Sequence, residues 1–161
     1  MKKYLVIGNP IEHSLSPKLH NYWIKENNID AIYDRKKIDE SNLKNIISEV
    51  KEGKVAGINI TVPFKKAVIS FLDKLSPEAE ITQSVNTIYL QDEKIIGHNT
   101  DIAGFELAIK YSKYDLNNKK IFILGAGGVS PSIIYSLKKM KVSKITLSNR
   151  TQKKAEGLKN L

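Results

Sequence analysis

The stretch Ile121-Phe122-Ile123-Leu124-Gly125-Ala126-Gly127-Gly128 decides the fold of this chain. Its apolar residues predict a buried strand, and its glycines predict a tight turn into a helix that begins near Val129. Such a turn lets the backbone approach a pyrophosphate, and the helix N-terminus adds unpaired N–H groups and a partial positive charge. Ser130 replaces the third glycine of the usual G-x-G-x-x-G pattern. We interpret the turn as a dinucleotide site, with a structural turn without ligand as the alternative.

Strand-like and helical segments alternate along almost the whole chain, which predicts an α/β fold built from parallel βα units. The predicted strands are 3–8, 31–37, 56–61, 119–124 and 144–148, and the predicted helices are 16–27, 39–50, 64–72, 101–112, 129–140 and one from about 151. Ser16 and Asp101 are the predicted N-caps of two helices. Segments 85–90 and 95–97 predict a hairpin, so the first sheet is expected to be mixed but mainly parallel.

This alternation predicts two domains. Residues 1–101 are expected to form a three-layer, substrate-binding catalytic domain, and residues 102–161 the start of a Rossmann-type domain. The second segment holds one βαβ unit, whereas a dinucleotide-binding sheet normally has about six strands. We therefore expect this second domain to be truncated, with an exposed sheet edge that favours association or fraying.

Composition argues against several classes of protein. No apolar run approaches the ~20 residues of a membrane-spanning helix, and Met1-Lys2-Lys3 is followed by only four apolar residues before Gly8. We expect neither a signal peptide nor a membrane partner. The chain contains no cysteine, which rules out disulfides, thiolate metal sites and cysteine nucleophiles, and this fits a cytoplasmic location.

The formal net charge of +9 raises nucleic acid as a partner, because clustered lysines gain affinity for phosphates by releasing counterions. The basic pairs are scattered among acidic residues, however, and only Arg35-Lys36-Lys37 forms a longer run. We therefore favour solvated surfaces and no nucleic-acid partner. The surplus positive charge suits an anionic substrate and cofactor.

The tip of the last predicted strand reads Asn149-Arg150-Thr151. A carboxylate at this position would accept the ribose hydroxyls of NAD, whereas a basic residue suits the 2′-phosphate of NADP. No carboxylate occurs here, and Arg150 with Lys153 and Lys154 forms a candidate phosphate clamp. The sequence therefore favours NADP over NAD.

Two features could carry the chemistry at the mouth of the first sheet. Lys65 follows a strand through Pro63, and Asp101 follows the exit of another strand, so the two charges could meet as a proton-handling pair. The alternative is a lysine that starts a helix and an aspartate that caps one. Ser14 and Ser16 precede a helix and could bind a carboxylate, with capping by Ser16 as the alternative. The three histidines lack metal-ligand spacing, so no metal is expected.

Six segments of the chain resemble the shikimate dehydrogenases in order and spacing. They are Gly8-Asn-Pro-Ile-Glu-His-Ser-Leu-Ser-Pro17 with His20-Asn21, Gly57-Ile-Asn-Ile-Thr-Val-Pro-Phe-Lys65, Val85-Asn-Thr87, Asn99-Thr-Asp101, Gly125-Ala-Gly-Gly128 and Asn149-Arg-Thr151. The resemblance covers the whole chain. It implies NADPH-dependent, reversible reduction of 3-dehydroshikimate to shikimate in aromatic amino-acid biosynthesis.

The resemblance also implies roles for individual residues. Lys65 and Asp101 would contact the reacting oxygen, with Lys65 as the acid/base group and Asp101 orienting it. The residues that would bind substrate or cofactor are Ser14, Ser16, Asn59, Thr61 and Asn86 for shikimate, and Gly125, Ala126, Gly127, Gly128, Val129, Asn149, Arg150, Thr151 and Lys154 for NADP. Family members continue beyond this point with segments that complete the cleft, so little or no turnover is expected from these residues alone.

Three alternatives stay open. One is a quinate/shikimate dehydrogenase that uses NAD, which the missing carboxylate at the strand tip disfavours. The second is a non-catalytic shikimate-binding domain, which the presence of both Lys65 and Asp101 disfavours. The third is a nucleic-acid-binding module, favoured only by charge. A homodimer is also left open as the oligomeric state.

Overall fold

The computed structural model describes every residue from Met1 to Leu161 and confirms the α/β fold. The strands are β1 (Lys2–Gly8), β2 (Ala31–Lys37), β3 (Gly57–Ile60), β4 (Lys74–Leu75), β5 (Thr87–Gln91), β6 (Lys94–His98), β7 (Lys120–Leu124) and β8 (Lys144–Ser148). The helices are α1 (Ser16–Glu26), α2 (Leu43–Lys51), α3 (Pro77–Thr82), α4 (Asp101–Tyr111), α5 (Ser130–Lys139) and α6 (Gln152–Glu156). None of these helices has the length and apolar character needed to cross a membrane.

The first sheet has the strand order β2-β1-β3-β5-β6-β4. β1 is parallel to both β2 and β3, while β5 runs antiparallel to β3 and to β6. The predicted hairpin and mixed sheet are therefore confirmed. Because β5 runs antiparallel to both of its neighbours, β3 and β6 run in the same direction as β1. The carboxyl ends of these three strands and the amino end of β5 therefore lie at the same edge of the sheet. A second sheet pairs β7 with β8 in parallel.

The main core lies between the first sheet and α2. Every apolar residue on one face of α2 is buried, namely Leu43, Ile46, Ile47 and Val50, as their helical spacing predicts. They pack with Ile7, Ile58 and Ile88 from three adjacent strands. Each of these three strand residues is at most 2% exposed. This packing fixes the strands whose ends carry the candidate site.

The predicted helix 64–72 is wrong in type. Residues Ala67–Phe71 form a 3₁₀ helix after an irregular turn. The carbonyl of Lys65 accepts a hydrogen bond from the amide of Val85 at 2.8 Å, and the amide of Ile69 bonds to the carbonyl of Lys66 at 3.2 Å. The segment is thereby tied to the chain that precedes β5.

Two short elements were not predicted, and one helix begins differently. β4 and α3 are too short to show periodicity, although Ser76 followed by Pro77 is a start signal and the Ser76 hydroxyl does cap α3 at the amide of Ala79, 3.3 Å away. The predicted helix 39–50 opens with a 3₁₀ turn, Glu40–Asn42, before α2.

Candidate active site

Lys65 and Asp101 meet at the shared edge of the first sheet. Lys65 follows β3, Asp101 begins α4 directly after β6, and these two strands end at the same edge. The Lys65 Nζ lies 2.7 Å from Asp101 Oδ2. The two side chains are 13% and 18% exposed, so the pair is largely shielded and still open to a small ligand. The predicted meeting of the two charges is confirmed.

A second polar residue fixes the other oxygen of Asp101. The amide nitrogen of Asn86 lies 2.9 Å from Asp101 Oδ1 and 2.8 Å from the Thr100 hydroxyl. The Asn86 oxygen accepts from the Thr100 backbone amide at 3.0 Å. Both carboxylate oxygens are thus engaged, so the orientation of Asp101 towards Lys65 is set.

The predicted capping roles of Asp101 and Ser16 are wrong. Asn99 caps α4, because its Oδ1 accepts from the amides of Asp101 at 2.9 Å and Ile102 at 3.4 Å. At α1, Leu15 holds the N-cap position without a side-chain bond, and the Ser14 hydroxyl accepts from the amide of Ser16 at 3.3 Å. The carboxylate of Asp101 and the hydroxyl of Ser16 are therefore free of capping.

A row of polar contacts leads from Asn86 back towards Ser16. The amide nitrogen of Asn59 donates to the Asn86 carbonyl at 3.2 Å and to the Thr87 hydroxyl at 3.1 Å. The Tyr33 hydroxyl donates to Asn59 Oδ1 at 2.7 Å. Asn59 is fully engaged by the protein, so its amide supports the site from the β3 side of the sheet.

Tyr33 is the buried member of this row. Its ring stacks on His20 with centroids 4.1 Å apart and planes 7° apart. Burial raises the pKa of Tyr33 to about 12, and the neighbouring Ser16 hydroxyl opposes that rise. Tyr33 therefore stays a neutral donor, which links the Ser14 and Ser16 turn to the strand that carries Asn59. Thr61, which follows β3, is half-buried. Its methyl carbon lies so close to Gly8 that a Cβ added at Gly8 would be only 2.6 Å from it.

The glycine-rich turn has the geometry of a phosphate-binding loop. Gly125 has φ +110°, a conformation that side chains disfavour. Its amide bonds to the Ser148 carbonyl at 2.7 Å, and the Ala126 amide bonds to Asn149 Oδ1 at 3.0 Å. The amides of Gly127, Gly128 and Val129 make no hydrogen bond within the chain. Three donors thus stand free at the N-terminus of α5, where an anion would be stabilised.

A cavity of about 320 Å³ joins the glycine-rich turn to the Lys65 region. Its wall includes Lys65, Ser84, Gly127, Gly128 and Lys154. A Cβ on Gly128 would lie 3.5 Å from the Lys65 Cδ, so the stem of the candidate acid/base residue passes beside the turn. Arg150 and Thr151 are exposed at the tip of β8, and Asn149 also donates to the Thr151 carbonyl at 2.8 Å.

Sequence reasoning missed four residues that hold this arrangement together, namely Tyr33, Ser84, Thr87 and Asn99. Thr87 lies directly opposite Asn59 in the register of β3 and β5. The predicted hairpin pairs β5 with β6 and does not give the register of β5 against β3. Thr87 and Asn99 lie in the segments Val85–Thr87 and Asn99–Asp101, which carry the family resemblance. Their place beside Asn86 and Asp101 was the one signal that could have identified them. Nothing in the sequence marks Tyr33.

Comparisons with known proteins show the family of this chain. The profile described as "Shikimate dehydrogenase substrate binding domain" matches residues 6–88, more than half of the chain. The chain belongs to the shikimate dehydrogenase family. A second profile of the family, "Shikimate / quinate 5-dehydrogenase", matches residues 106–160. The resemblance drawn from the six segments is confirmed.

Three shikimate dehydrogenases illustrate the similarity. The NADP(+) enzyme of Pelagibacter ubique is 59% identical over 98% of this chain. The crystal structure of the Aquifex aeolicus shikimate dehydrogenase superposes with a TM-score of 0.92, 39% identity and 99% coverage. The Thermus thermophilus shikimate 5-dehydrogenase was solved in complex with NADP(H) and shikimate. It superposes with a TM-score of 0.89 and 31% identity over 99% of this chain. The chain spans 60% of the length of each of these proteins.

Proposed function

We propose that this chain carries the shikimate site and part of the NADP site of a shikimate dehydrogenase, which reversibly reduces 3-dehydroshikimate to shikimate. The observation that carries the proposal is the 2.7 Å contact between Lys65 and Asp101 beside the glycine-rich turn. An ammonium group held by a carboxylate can donate a proton to a carbonyl oxygen, and the phosphate-binding loop beside it can hold the dinucleotide that supplies the hydride.

The proton step belongs to Lys65. NADPH would supply the hydride that adds to the carbonyl carbon of the substrate. The Lys65 Nζ donates a proton to the carbonyl oxygen, which becomes the hydroxyl of shikimate, and Lys65 is left neutral until it takes up a proton again. Asp101 holds Nζ in place and, with Asn86 on its other oxygen, keeps the donor aimed at one point. In the oxidation direction Lys65 accepts the same proton.

The other polar groups at the sheet edge recognise the substrate. Ser14 and Ser16, after β1, bind the carboxylate of shikimate, while Thr61 and Asn86 hold its hydroxyl groups. Asn59 acts behind them, since its amide already bonds to Asn86, Thr87 and Tyr33. The alternation of donors and acceptors along this edge suits a ring that carries one carboxylate and several hydroxyls.

The residues near α5 fit the cofactor. Gly125 to Val129, including Ala126, receive the pyrophosphate through the three free amides, and Asn149 fixes the turn. Arg150, Thr151 and Lys154 surround the adenosine ribose and its 2′-phosphate. The absence of a carboxylate at the tip of β8 supports NADP over the alternative NAD.

Isothermal titration of the chain with shikimate tests this function. We expect saturable binding that Lys65→Ala and Asp101→Ala both weaken, because each removes a charged group from the shielded pair. Lys25→Ala is the matched control, since Lys25 is exposed near the end of α1 and does not line the cavity. Absence of binding to a folded chain, or equal binding by all variants, would contradict the proposal.

Further predictions accompany this function. We propose that residues 1–101 form the substrate domain and residues 102–161 belong to the cofactor domain, a division supported by the separate six-stranded and two-stranded sheets. Limited proteolysis with cleavage near α4 would test it. A cytoplasmic location and a homodimer stay predictions, to be tested by cell fractionation and sedimentation equilibrium.

A further inference from the structure

Asn99 is a buried polar side chain that the proposed reaction does not use. It lies between β6 and α4, is 1% exposed, and is the one polar member among the largest fully buried side chains. A buried amide without partners would cost several kcal/mol, but every polar atom of this side chain is bonded. Its partners lie in both parts of the candidate site.

The oxygen of Asn99 serves the Lys65 side of the site. It accepts from the amides of Asp101 at 2.9 Å and Ile102 at 3.4 Å. These are the first two residues of α4, so the bond sets where the helix begins. The position of the Asp101 backbone therefore depends on Asn99, while Asn86 and Lys65 position its carboxylate.

The nitrogen of Asn99 serves the cofactor side. It lies 2.9 Å from the hydroxyl of Ser132, which is wholly buried in the first turn of α5. It also lies 2.8 Å from the Ser84 carbonyl and 3.2 Å from the Thr82 hydroxyl. Ser84 in turn donates from its hydroxyl to the Gly128 carbonyl at 2.9 Å. The glycine-rich turn and the start of α5 are thus tied to the segment before β5.

We propose that Asn99 is a positioning residue that couples the glycine-rich turn to Asp101, so that a ligand at one site tightens binding of a ligand at the other. This rests on the proposed function. Only an amide can provide donors to Ser132 and Ser84 and an acceptor to α4 at once. An ordered connection of this kind lets one ligand stabilise the arrangement that the second ligand needs, and the effect is reciprocal.

The first test needs no ligand. Substitution of Asn99 itself could unfold the chain, so Ser132→Ala, which leaves Asn99 in place, is the primary variant. Ser136→Ala is its matched control, because Ser136 is also fully buried in α5 and contacts the Ile102 carbonyl at 3.5 Å without touching Asn99. We expect amide hydrogen exchange at Asp101 to rise roughly fivefold in Ser132→Ala, the equivalent of about one hydrogen bond, and to stay unchanged at Asp101 in Ser136→Ala.

The second test measures coupling between ligands. Adenosine 2′,5′-bisphosphate is titrated into the chain with and without saturating shikimate. We expect shikimate to tighten binding of the bisphosphate by about fivefold or more, and this factor to fall to about one in Ser132→Ala and in Ser84→Ala. Ser136→Ala should retain the fivefold coupling between the two ligands, although it too removes a buried serine hydroxyl from α5.

Each result decides one question. Equal exchange and equal coupling in Ser132→Ala and Ser136→Ala would overturn the positioning role, as would independent binding of the two ligands to the unaltered chain. If shikimate does not bind the unaltered chain, the proposed function and the coupling fail together. The exchange data then show separately whether Ser132 and Asn99 position Asp101.

Discussion

Lys65 Nζ and Asp101 Oδ2 are 2.7 Å apart although 36 residues separate them along the chain. The contact follows from topology, because β3 and β6 run in the same direction with antiparallel β5 between them. Each strand delivers one charge just past its carboxyl end. The pair thus lies at the ends of strands that pack against α2 in the main core.

Lys65→Met separates the charge of this lysine from its packing. Methionine retains an apolar stem beside Gly128 but removes the ammonium group. We expect a loss of about 1 to 2 kcal/mol in the free energy of unfolding, less than for a fully buried pair because both side chains retain some exposure. Shikimate affinity should fall about tenfold or more. Urea denaturation and calorimetry measure both, with Lys25→Met, at an exposed position near the end of α1, as the control that changes neither.

Tyr33→Phe removes one hydroxyl from the polar row and keeps the stack on His20. We expect a loss of about 1 to 2 kcal/mol in stability, because the oxygen of Asn59 loses its donor in a half-buried site. Shikimate should bind several-fold more weakly, since Asn59 supports Asn86. Tyr22→Phe, at a surface position 58% exposed, is the control. An unchanged affinity in Tyr33→Phe would remove Tyr33 from the site.

His20 makes stability depend on pH. Burial lowers the pKa of His20 from its ordinary value of 6.5, so the unfolded chain takes up the proton more readily than the folded chain. The contribution of His20 is therefore fully present above about pH 6.5 and is lost progressively as the pH falls from there through the lower pKa of the folded state. We expect His20→Phe, which can keep the stack on Tyr33, to reduce the fall in unfolding free energy between pH 7.5 and pH 5.5. Parallel pH profiles would contradict the assignment.

Gly125→Ala and Gly104→Ala should change stability in opposite directions. Gly125 has φ +110°, where an alanine is strained, so we expect a loss of about 1 to 2 kcal/mol and weaker binding of a phosphate ligand. Gly104 is an exposed helical position in α4 with open space around it. Alanine there should raise stability by about 0.5 to 1 kcal/mol. Thermal unfolding of the two variants side by side tests the pair.

Arg150→Gln should change the choice between cofactors. The guanidinium group at the tip of β8 suits a 2′-phosphate, so the variant should bind NADP about tenfold more weakly, the equivalent of one charge-assisted hydrogen bond. Its affinity for NAD should stay nearly constant. Arg35→Gln removes an equal charge from β2 and is the control for net charge. Equal losses for NADP and NAD would show that Arg150 acts only through long-range electrostatics.

Sequence reasoning predicted what depends on local pattern. The bounds of β2 and β8, the hairpin of β5 and β6, and the turn after β7 follow from runs of apolar residues and from glycine. The meeting of Lys65 and Asp101 follows from strands that end at one edge. Some contacts depend on register, such as Asn59 with Thr87, or on the packing of α5 against the connection between β6 and α4, such as Asn99 with Ser132. The sequence shows no periodic pattern for them. The two predicted N-caps were wrong because the side chain two residues before each of them makes the N-terminal contact of the helix. The Ser14 hydroxyl accepts from the first amide of α1, and the Asn99 side chain accepts from the first amide of α4.

The crystal structure of this chain with bound shikimate would test the central claim most directly. We predict that one ring hydroxyl lies within hydrogen-bond distance of both Lys65 Nζ and the Asp101 carboxylate, and that the substrate carboxylate contacts the hydroxyls of Ser14 and Ser16. Shikimate bound away from the Lys65 and Asp101 pair, or held there by its carboxylate with no hydroxyl near Nζ, would contradict the proposed proton step.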